Sequence, residues 1–185
     1  MGHFRLNSRY CARDWIGTKE IIENKDVMAK IVKCITRDIT SKTKDHDKYM
    51  LVGIDLEGVA IASRVATILQ RPFTYVVPVK DKEENSKKDF DINIEEEIKL
   101  IFITDTVVTL ETVQSIASRF EVSIDNCLIA IYSVFYRKSN HKIEEKSTLL
   151  YEKLMCLNND FNIEIFEMKD CMYRDTLCFA QNRRN

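Results

Sequence analysis

The sequence predicts an α/β fold: a doubly wound, mostly parallel sheet flanked by helices, with a small helical piece at the N-terminus. Three observations support this prediction. Several short runs of almost continuous apolar residues have the length and character of strands that are buried on both faces. Helical segments separate these runs, and an amphipathic helical pattern precedes the first of them. Buried strands that are joined by helices form a parallel sheet with helices on both faces.

The composition is that of one globular domain. The chain has 185 residues, of which 45% are hydrophobic and 31% are charged, so we expect a single domain over residues 1–185 with its own core. The formal net charge of -1 lacks the cationic excess of dedicated nucleic-acid binders, and no specific nucleic-acid partner is predicted. A small anionic ligand stays compatible with this charge, because one local pocket suffices to bind it.

The N-terminal residues and the cysteines indicate in which cellular compartment the protein is expected. The first residues lack the apolar core of a signal peptide, and no stretch reaches the roughly 20 apolar residues of a membrane span. The 6 cysteines form no CxxC pair and lie mostly in apolar segments, which is typical of reduced thiols. We therefore expect a cytoplasmic protein without a membrane partner.

The N-terminal piece, residues 1–48, contains the first predicted helix. Within Lys19–Ser41, apolar residues recur with the period of an amphipathic helix. The aromatic residues Phe4, Tyr10 and Trp15 precede this segment and favour a docking patch. We interpret this piece as a helical docking element.

The elements of the predicted sheet follow in order along the chain. Tyr49–Asp55 and Phe73–Val79 are predicted strands, and Gly58–Gln70 is the apolar, alanine-rich helix between them. Lys99–Thr104 is the next predicted strand, and a helix at Thr112–Phe120 follows it. These segments form two strand-loop-helix units.

The rest of the chain is predicted to continue this alternation. Cys127–Phe135 is a predicted strand, Glu144–Asn158 a helix and Asn162–Phe166 a further strand. Lys80–Glu97 is too charged to be buried, so we expect a mobile, charged loop there. Residues 169–185 form a predicted C-terminal tail with a basic end.

The candidate site lies where predicted strands end. Ligands of an open parallel sheet bind at the carboxyl ends of its strands, where the chain leaves for a helix. One such end carries Gly53, Asp55, Glu57 and Gly58, and the other is the segment 104–112, TDTVVTLET. We expect the two segments to form one binding site.

The second segment has the chemistry of a phosphate and sugar site. A turn that leads directly into a helix presents unpaired N–H groups and the positive end of the helix dipole, which bind phosphate. Thr109 and Thr112 add hydroxyl donors to this bend, and Asp105 is placed to bind sugar hydroxyls or to orient water on Mg²⁺. The scattered histidines have no ligand spacing, so no metal site made by the protein alone is predicted.

The segment 105–112, DTVVTLET, resembles the signature of the type I phosphoribosyltransferases, in which two acids precede a Thr-x-Gly-Thr turn. Gly53–Gly58 and the helix after it resemble the pyrophosphate loop and alanine-rich helix of that family, and Arg71–Phe73 is similar to its orotate branch. The order of parts matches over about Lys19 to Phe166. The resemblance implies a type I phosphoribosyltransferase fold, phosphoribosyl diphosphate or a nucleotide as ligand, and Mg²⁺ on the diphosphate.

Two departures from the family pattern lie inside the signature. Thr106 stands where the family has its second acid, so one of the two carboxylates that contact the ribose hydroxyls in the family is absent. Glu111 stands at the glycine of the phosphate loop and brings a negative charge to the place of the 5-phosphate. Like charges a few ångströms apart cost on the order of 1 to 4 kcal/mol.

Two further departures lie outside the signature. Val77 and Pro78 occupy the positions of a basic pair that touches substrate in the orotate branch. Lys80 and Lys82 are the predicted replacement cations, because the equivalent segment of the family closes over the site. The expected pyrophosphate loop carries two acids of its own, which Mg²⁺ would partly neutralise.

Two hypotheses from different classes follow. In the first, an enzyme transfers phosphoribose from phosphoribosyl diphosphate to a nucleobase-like acceptor: Asp105 orients the ribose, Thr109 and Thr112 hold its phosphate, and Gly53–Gly58 hold pyrophosphate. In the second, which the departures favour, the chain is a degenerate, non-catalytic relative that senses a nucleotide or docks to a protein partner or a second copy. A generic doubly wound domain with an accidental match is the third alternative.

Simpler structural roles stand beside each of these assignments. Asp105 has the position of a strand-terminal acid, Thr112 that of a helix N-cap, and Gly53 and Gly58 suit close packing of helix on strand. Glu111 is most simply an exposed acid at a helix start, in which case the phosphate site has been lost. The resemblance also requires that the two strand-end segments lie side by side at one edge of the sheet.

Overall fold

The computed structural model describes residues 4–5, 10–12, 17–44, 47–76, 98–107, 110–119, 124–136, 150, 152–158 and 165–167 of the chain. The predicted loop 80–97 and the predicted tail 169–185 lie outside these residues. Within this part of the chain, no helix combines the length and the apolar character needed to cross a bilayer.

The helices and strands alternate along most of the described chain. The helices are α1 Thr18–Glu23, α2 Lys25–Lys42, α3 Asp55–Leu69, α4 Glu111–Arg119 and α5 Ile124–Cys127. The strands are β1 Phe4–Arg5, β2 Tyr10–Ala12, β3 Tyr49–Ile54, β4 Phe73–Val76, β5 Lys99–Val107, β6 Leu128–Tyr136, β7 Leu154–Asn158 and β8 Ile165–Glu167.

The main sheet has the order β4-β3-β5-β6-β7, and all four of its pairings are parallel. Gly53 on β3 is in register with Ile103 on β5. The chain runs from β3 outward to β4 and then returns to β5 on the other side of β3, so the order reverses between β3 and β5. The predicted parallel, doubly wound sheet is therefore confirmed.

Helices cover both faces of this sheet. Leu51 and Ile103 belong to the apolar cluster beneath α2 and α3, and their sequence neighbours Val52 and Phe102 belong to the cluster beneath α4. Side chains of a strand alternate between the two faces, so apolar residues at successive positions produce the two cores. This is why the strands read as continuous apolar runs.

The single helix predicted over Lys19–Ser41 is two helices in the structure. Asn24 separates α1 from α2, and its Oδ1 accepts hydrogen bonds from the backbone N–H groups of Asp26 and Val27 at 3.1 and 3.2 Å. Asparagine is a strong N-cap because its side chain satisfies N–H groups that the helix leaves unpaired. The extended backbone of Asn24 ends α1, and its side-chain cap starts α2.

Helix α2 is an integral part of the main core. Ile35 and Ile39 are 0% exposed and lie in the cluster beneath α2 and α3. Burial of such a side chain contributes about 1.5 to 3 kcal/mol. The amphipathic stripe that suggested docking therefore packs against the sheet and α3 of the same chain.

Two predictions for the C-terminal part are wrong in part. Leu154–Asn158, predicted as the end of a helix, forms β7, which pairs in parallel with β6. The strand predicted at Asn162–Phe166 is observed as Ile165–Glu167 and pairs with β2 in a separate antiparallel sheet that also contains β1. Pairing with strands distant in sequence produces both features, and the periodicity of one segment does not reveal such pairing.

A hydrogen bond between Tyr132 on β6 and Asp38 on α2 connects this helix to the sheet. The Tyr132 hydroxyl donates to Asp38 Oδ2 at 2.7 Å, and Lys42 Nζ lies 2.7 Å from the same oxygen. Burial alone raises the pKa of Asp38, but the hydrogen bonds from Lys42 and Tyr132 and the positive charges of Lys42 and Arg37 together lower it by more, so this pKa lies below its usual value. Burial and then Asp38 raise the pKa of Tyr132, which keeps the hydroxyl a donor.

We expect Asp38→Asn to lower the free energy of unfolding at neutral pH by less than about 1 kcal/mol, because Asp38 is 39% exposed and solvent weakens its interactions. A carboxyl group whose pKa is lowered by folding contributes stability above its unfolded value of about 3.9, and this contribution is lost as the pH falls through the folded pKa. Urea unfolding should therefore show a difference that fades below about pH 4.

The exposed acid Glu152 provides a control. Glu152→Gln should show no difference that fades in this pH range. If Asp38→Asn destabilises the protein equally at neutral and at acidic pH, the ionised carboxylate is not the stabilising species and the described contact is wrong.

Candidate functional site

The first strand-end segment lies against the start of the second, at Thr104, where the order of the sheet reverses. A Cβ atom added to Gly58 would lie 2.5 Å from the Ile103 carbonyl oxygen and 3.0 Å from Thr104 Cα. The first turn of α3 therefore touches the backbone of β5 directly. Crevices at such reversal points, outside the carboxyl ends of the strands, are where doubly wound sheets bind ligands.

Gly53 is required for the same close approach. A Cβ atom there would lie 2.7 Å from Val59 Cα and 3.1 Å from the Gly58 carbonyl oxygen, so any side chain would push α3 away from β3. Close packing is thus a sufficient reason for both glycines. Their predicted contact with a diphosphate stays a prediction.

The acids of the first segment lie in a helix instead of a loop. Helix α3 begins at Asp55, three residues before the predicted Gly58, and places Asp55 and Glu57 in its first turn. Asp55 has a left-handed φ of 64°, which aspartate tolerates better than most residues. Ile54, the residue before the helix, supplies no side-chain cap.

Asp105 and Thr106 lie on strand β5, which extends to Val107 instead of ending at Thr104 as predicted. The half-buried carboxylate of Asp105 accepts a hydrogen bond through Oδ1 from the Thr106 backbone N–H at 2.6 Å. The Thr104 hydroxyl lies 3.4 Å from the same oxygen. Local donors thus orient the carboxylate at the carboxyl end of the strand.

Ser133 on β6 is a residue of this region that the sequence analysis missed. It is 0% exposed, and its hydroxyl donates to the Phe135 carbonyl oxygen at 2.6 Å, with the Asp105 carbonyl oxygen at 3.3 Å. The side chain therefore stands between the ends of β5 and β6. A lone serine in the apolar run CLIAIYSVF was the signal that could have identified it.

Helix α4 begins at Glu111, and both Glu111 and Thr112 are exposed. Thr112 therefore lies inside the helix and is not its N-cap. Leu110, just before the helix, has a left-handed φ of 58° although its side chain is only 3% exposed. The conformation that favours glycine thus occurs one residue before Glu111, and burial of the leucine offsets its strain.

Several predicted residues lie outside the described part of the chain. These are Thr109, Lys80 and Lys82, together with Val77 and Pro78. Their roles stay predictions.

Metal binding was tested against the carboxylates of the site. Among the described residues, no group of three or more His, Cys, Asp or Glu side chains could hold a metal ion. The acids present fit a Mg²⁺ ion only if phosphate oxygens of a ligand supply much of its coordination, which is the usual arrangement for Mg²⁺.

Comparisons with known proteins were made by sequence and by structure. No protein-family profile matches the chain. The bifunctional protein PyrR of Streptococcus pneumoniae strain TIGR4 is 30% identical over 112 residues, which cover 59% of this chain and 64% of PyrR. The chain thus spans slightly less than two thirds of this relative.

Three solved structures are similar in fold. Leishmania donovani UMP synthase has a TM-score of 0.59 with 17% identity over 85% of this chain and 32% of that protein. Aeropyrum pernix orotate phosphoribosyltransferase has a TM-score of 0.55 with 15% identity over 88% and 84%. Saccharomyces cerevisiae adenine phosphoribosyltransferase has a TM-score of 0.52 with 12% identity over 75% and 82%.

These similarities confirm the resemblance predicted from the two strand-end segments. The five-stranded parallel sheet and its flanking helices are shared with orotate and adenine phosphoribosyltransferases. At such low identity the structural similarity establishes the fold, whereas activity depends on the residues of the site.

Proposed function

We propose that this chain, which has the fold of the type I phosphoribosyltransferases, is a degenerate, non-catalytic relative that acts by docking to a protein partner. The observation that carries this proposal is Glu111, an exposed carboxylate on the first residue of α4. A phosphate group of phosphoribosyl diphosphate would have to approach the same helix end. In this proposal the carboxylate stands where the phosphate would have to bind.

The helix dipole explains why Glu111 is stable where it stands. An acid in the first turn of a helix interacts favourably with the positive helix end by about 0.3 to 1 kcal/mol. A phosphate that approached within a few ångströms would instead be repelled by about 1 to 4 kcal/mol. The chain thus places a negative charge of its own at the positive end of α4.

The charge of the whole crevice supports this proposal. The described strand ends and helix starts, residues 53–58, 104–107 and 110–112, contain four acids and no lysine or arginine. The acids are Asp55, Glu57, Asp105 and Glu111. A ligand that carries several phosphates is disfavoured by such a surface, so partner docking is better supported than the nucleotide-sensing alternative.

An active Mg²⁺-dependent phosphoribosyltransferase is the second candidate function. Asp105 favours it, because its half-buried carboxylate lies near the carboxyl end of β5, on the residue after the Thr104 backbone that the first turn of α3 approaches. In this alternative, Mg²⁺ bound to the diphosphate would screen the acids, and Lys80 or Lys82 would supply positive charge. Thr112 and Thr109 would bind the 5-phosphate.

Release of pyrophosphate distinguishes the two functions. We expect the full chain, incubated with phosphoribosyl diphosphate, Mg²⁺ and orotate, uracil or adenine in turn, to release no more pyrophosphate than the mixture without protein. An active adenine phosphoribosyltransferase serves as the positive control. Base-dependent release that disappears in Asp105→Ala would establish the enzyme and refute the proposal.

A further inference from the structure

A groove on the outer surface of α2 and α3 lies apart from the crevice at the strand ends. Its volume is about 480 Å³, and the last residues of α1 contribute to its lining. It is lined on one side by Ile22, Glu23, Lys25, Met28, Ala29 and Val32, and on the other by Arg64, Thr67 and Ile68.

The floor of the groove is apolar. Met28 and Val32 are nearly buried beneath it, whereas Ile68 on the opposite wall is 60% exposed. A single exposed isoleucine is ordinary on a protein surface. Here the isoleucine borders a concave apolar surface, so an apolar side chain that entered the groove would contact both walls and be removed from water.

The rim of the groove has an excess of positive charge. Glu23 is paired with Lys19 at 3.7 Å, whereas Lys25 and Arg64 form no ion pair with any residue that the structure describes. The Arg64 guanidinium donates one hydrogen bond, to the Ala60 carbonyl oxygen at 2.7 Å. Its other N–H groups donate to no residue that the structure describes, so they are available to a partner. An occupant with acidic groups on its edges would complement this rim.

The length and walls of the groove indicate the shape of the occupant. Lys25–Val32 on α2 spans about two helical turns, or roughly 10 Å. Both walls are helices, so neither side offers a strand edge to which an extended peptide could bond. A helix satisfies its own backbone groups and binds such grooves through apolar side chains at i, i+3, i+4 and i+7.

We infer that this groove binds an amphipathic helix of a partner protein, with the apolar face of that helix on Met28, Val32 and Ile68 and its acidic flanks on Lys25 and Arg64. This inference rests on the proposed docking function and names the chemistry of the partner. It concerns a surface that pyrophosphate release does not report, so failure of this inference can be distinguished from failure of the proposed function.

Fluorescence anisotropy with two matched synthetic peptides tests the inference. Each is a labelled helix of about 20 residues, long enough to be helical in water, with leucines along one face; the flanking residues are glutamates in one peptide and lysines in the other. The acidic peptide should bind the full chain saturably with micromolar affinity, and the basic peptide should bind at least about tenfold more weakly.

Variants of the chain locate the binding surface. Ile68→Glu and Arg64→Glu alter exposed residues, and each should weaken binding of the acidic peptide at least about tenfold. Leu56→Glu is the matched control, because Leu56 is 72% exposed on the same helix outside the groove. It should leave the affinity unchanged.

Three results would overturn the inference. They are equal binding of the two peptides, affinity that is insensitive to Ile68→Glu and Arg64→Glu, and absence of saturable binding up to about 1 mM peptide. Displacement of the acidic peptide by single-stranded RNA of equal charge would assign the cationic rim to nucleic acid and would also overturn it.

Discussion

Replacement of Gly58 by alanine is expected to lower the free energy of unfolding by about 1 to 3 kcal/mol. The new Cβ atom would meet the Ile103 carbonyl oxygen at 2.5 Å and Thr104 Cα at 3.0 Å. Both are backbone atoms of a central strand, so they cannot move aside as a flexible side chain could. Relief requires α3 to move away from β5, which loosens the core beneath it and opens the crevice.

Equilibrium unfolding in urea measures this effect, and Gly17→Ala is its control. A Cβ atom at Gly17 would have the Glu20 side chain as its nearest neighbour, at 3.6 Å, so no backbone has to move, and alanine in place of this N-cap glycine costs about 0.5 to 1 kcal/mol. The control should therefore lower stability by less than Gly58→Ala does. Equal stability of Gly58→Ala and the wild type would mean that α3 does not contact β5 as described.

The sheet was predictable from the sequence because its strands are buried on both faces. Tyr49–Ile54 and the start of Lys99–Val107 present apolar residues at successive positions, and only a strand covered on both sides requires this pattern. The helical pattern between them then implied a parallel connection. The observed parallel sheet has its strands where these apolar runs predicted them.

Features that depend on distant pairing were not predictable in this way. Leu154–Asn158 has the composition of a helix end, yet it pairs with β6 at the edge of the sheet. The short strand Tyr10–Ala12 is defined only by its partners β1 and β8. Tertiary pairing overrides local propensity in both cases.

The position of the candidate site was predicted better than its detailed geometry. The sequence predicted the 105–112 turn beside Gly53–Gly58, and the described contact of Gly58 is with Ile103 and Thr104, just before that turn, because parallel strands bring their carboxyl ends to one edge. The left-handed backbone of Leu110 gave no signal, since leucine rarely adopts that conformation.

The proposal that Glu111 prevents phosphate binding predicts the effect of its removal. We expect Glu111→Gly to increase the affinity for phosphoribosyl diphosphate with Mg²⁺ by at least about fivefold, because like-charge repulsion of about 1 to 4 kcal/mol is lost. Glu111→Gln removes the charge and keeps the bulk, so its affinity should lie between those of Glu111→Gly and the wild type. Glu152→Gln removes an exposed acid elsewhere and should have no effect.

Calorimetric titration of phosphoribosyl diphosphate and Mg²⁺ into the wild-type chain and Glu111→Gly is the most direct test of a phosphate site lost through Glu111. The wild type should show no saturable binding with a Kd below about 1 mM, whereas Glu111→Gly should show such binding. Saturable wild-type binding tighter than about 1 mM, or no gain of binding in Glu111→Gly, would contradict this explanation.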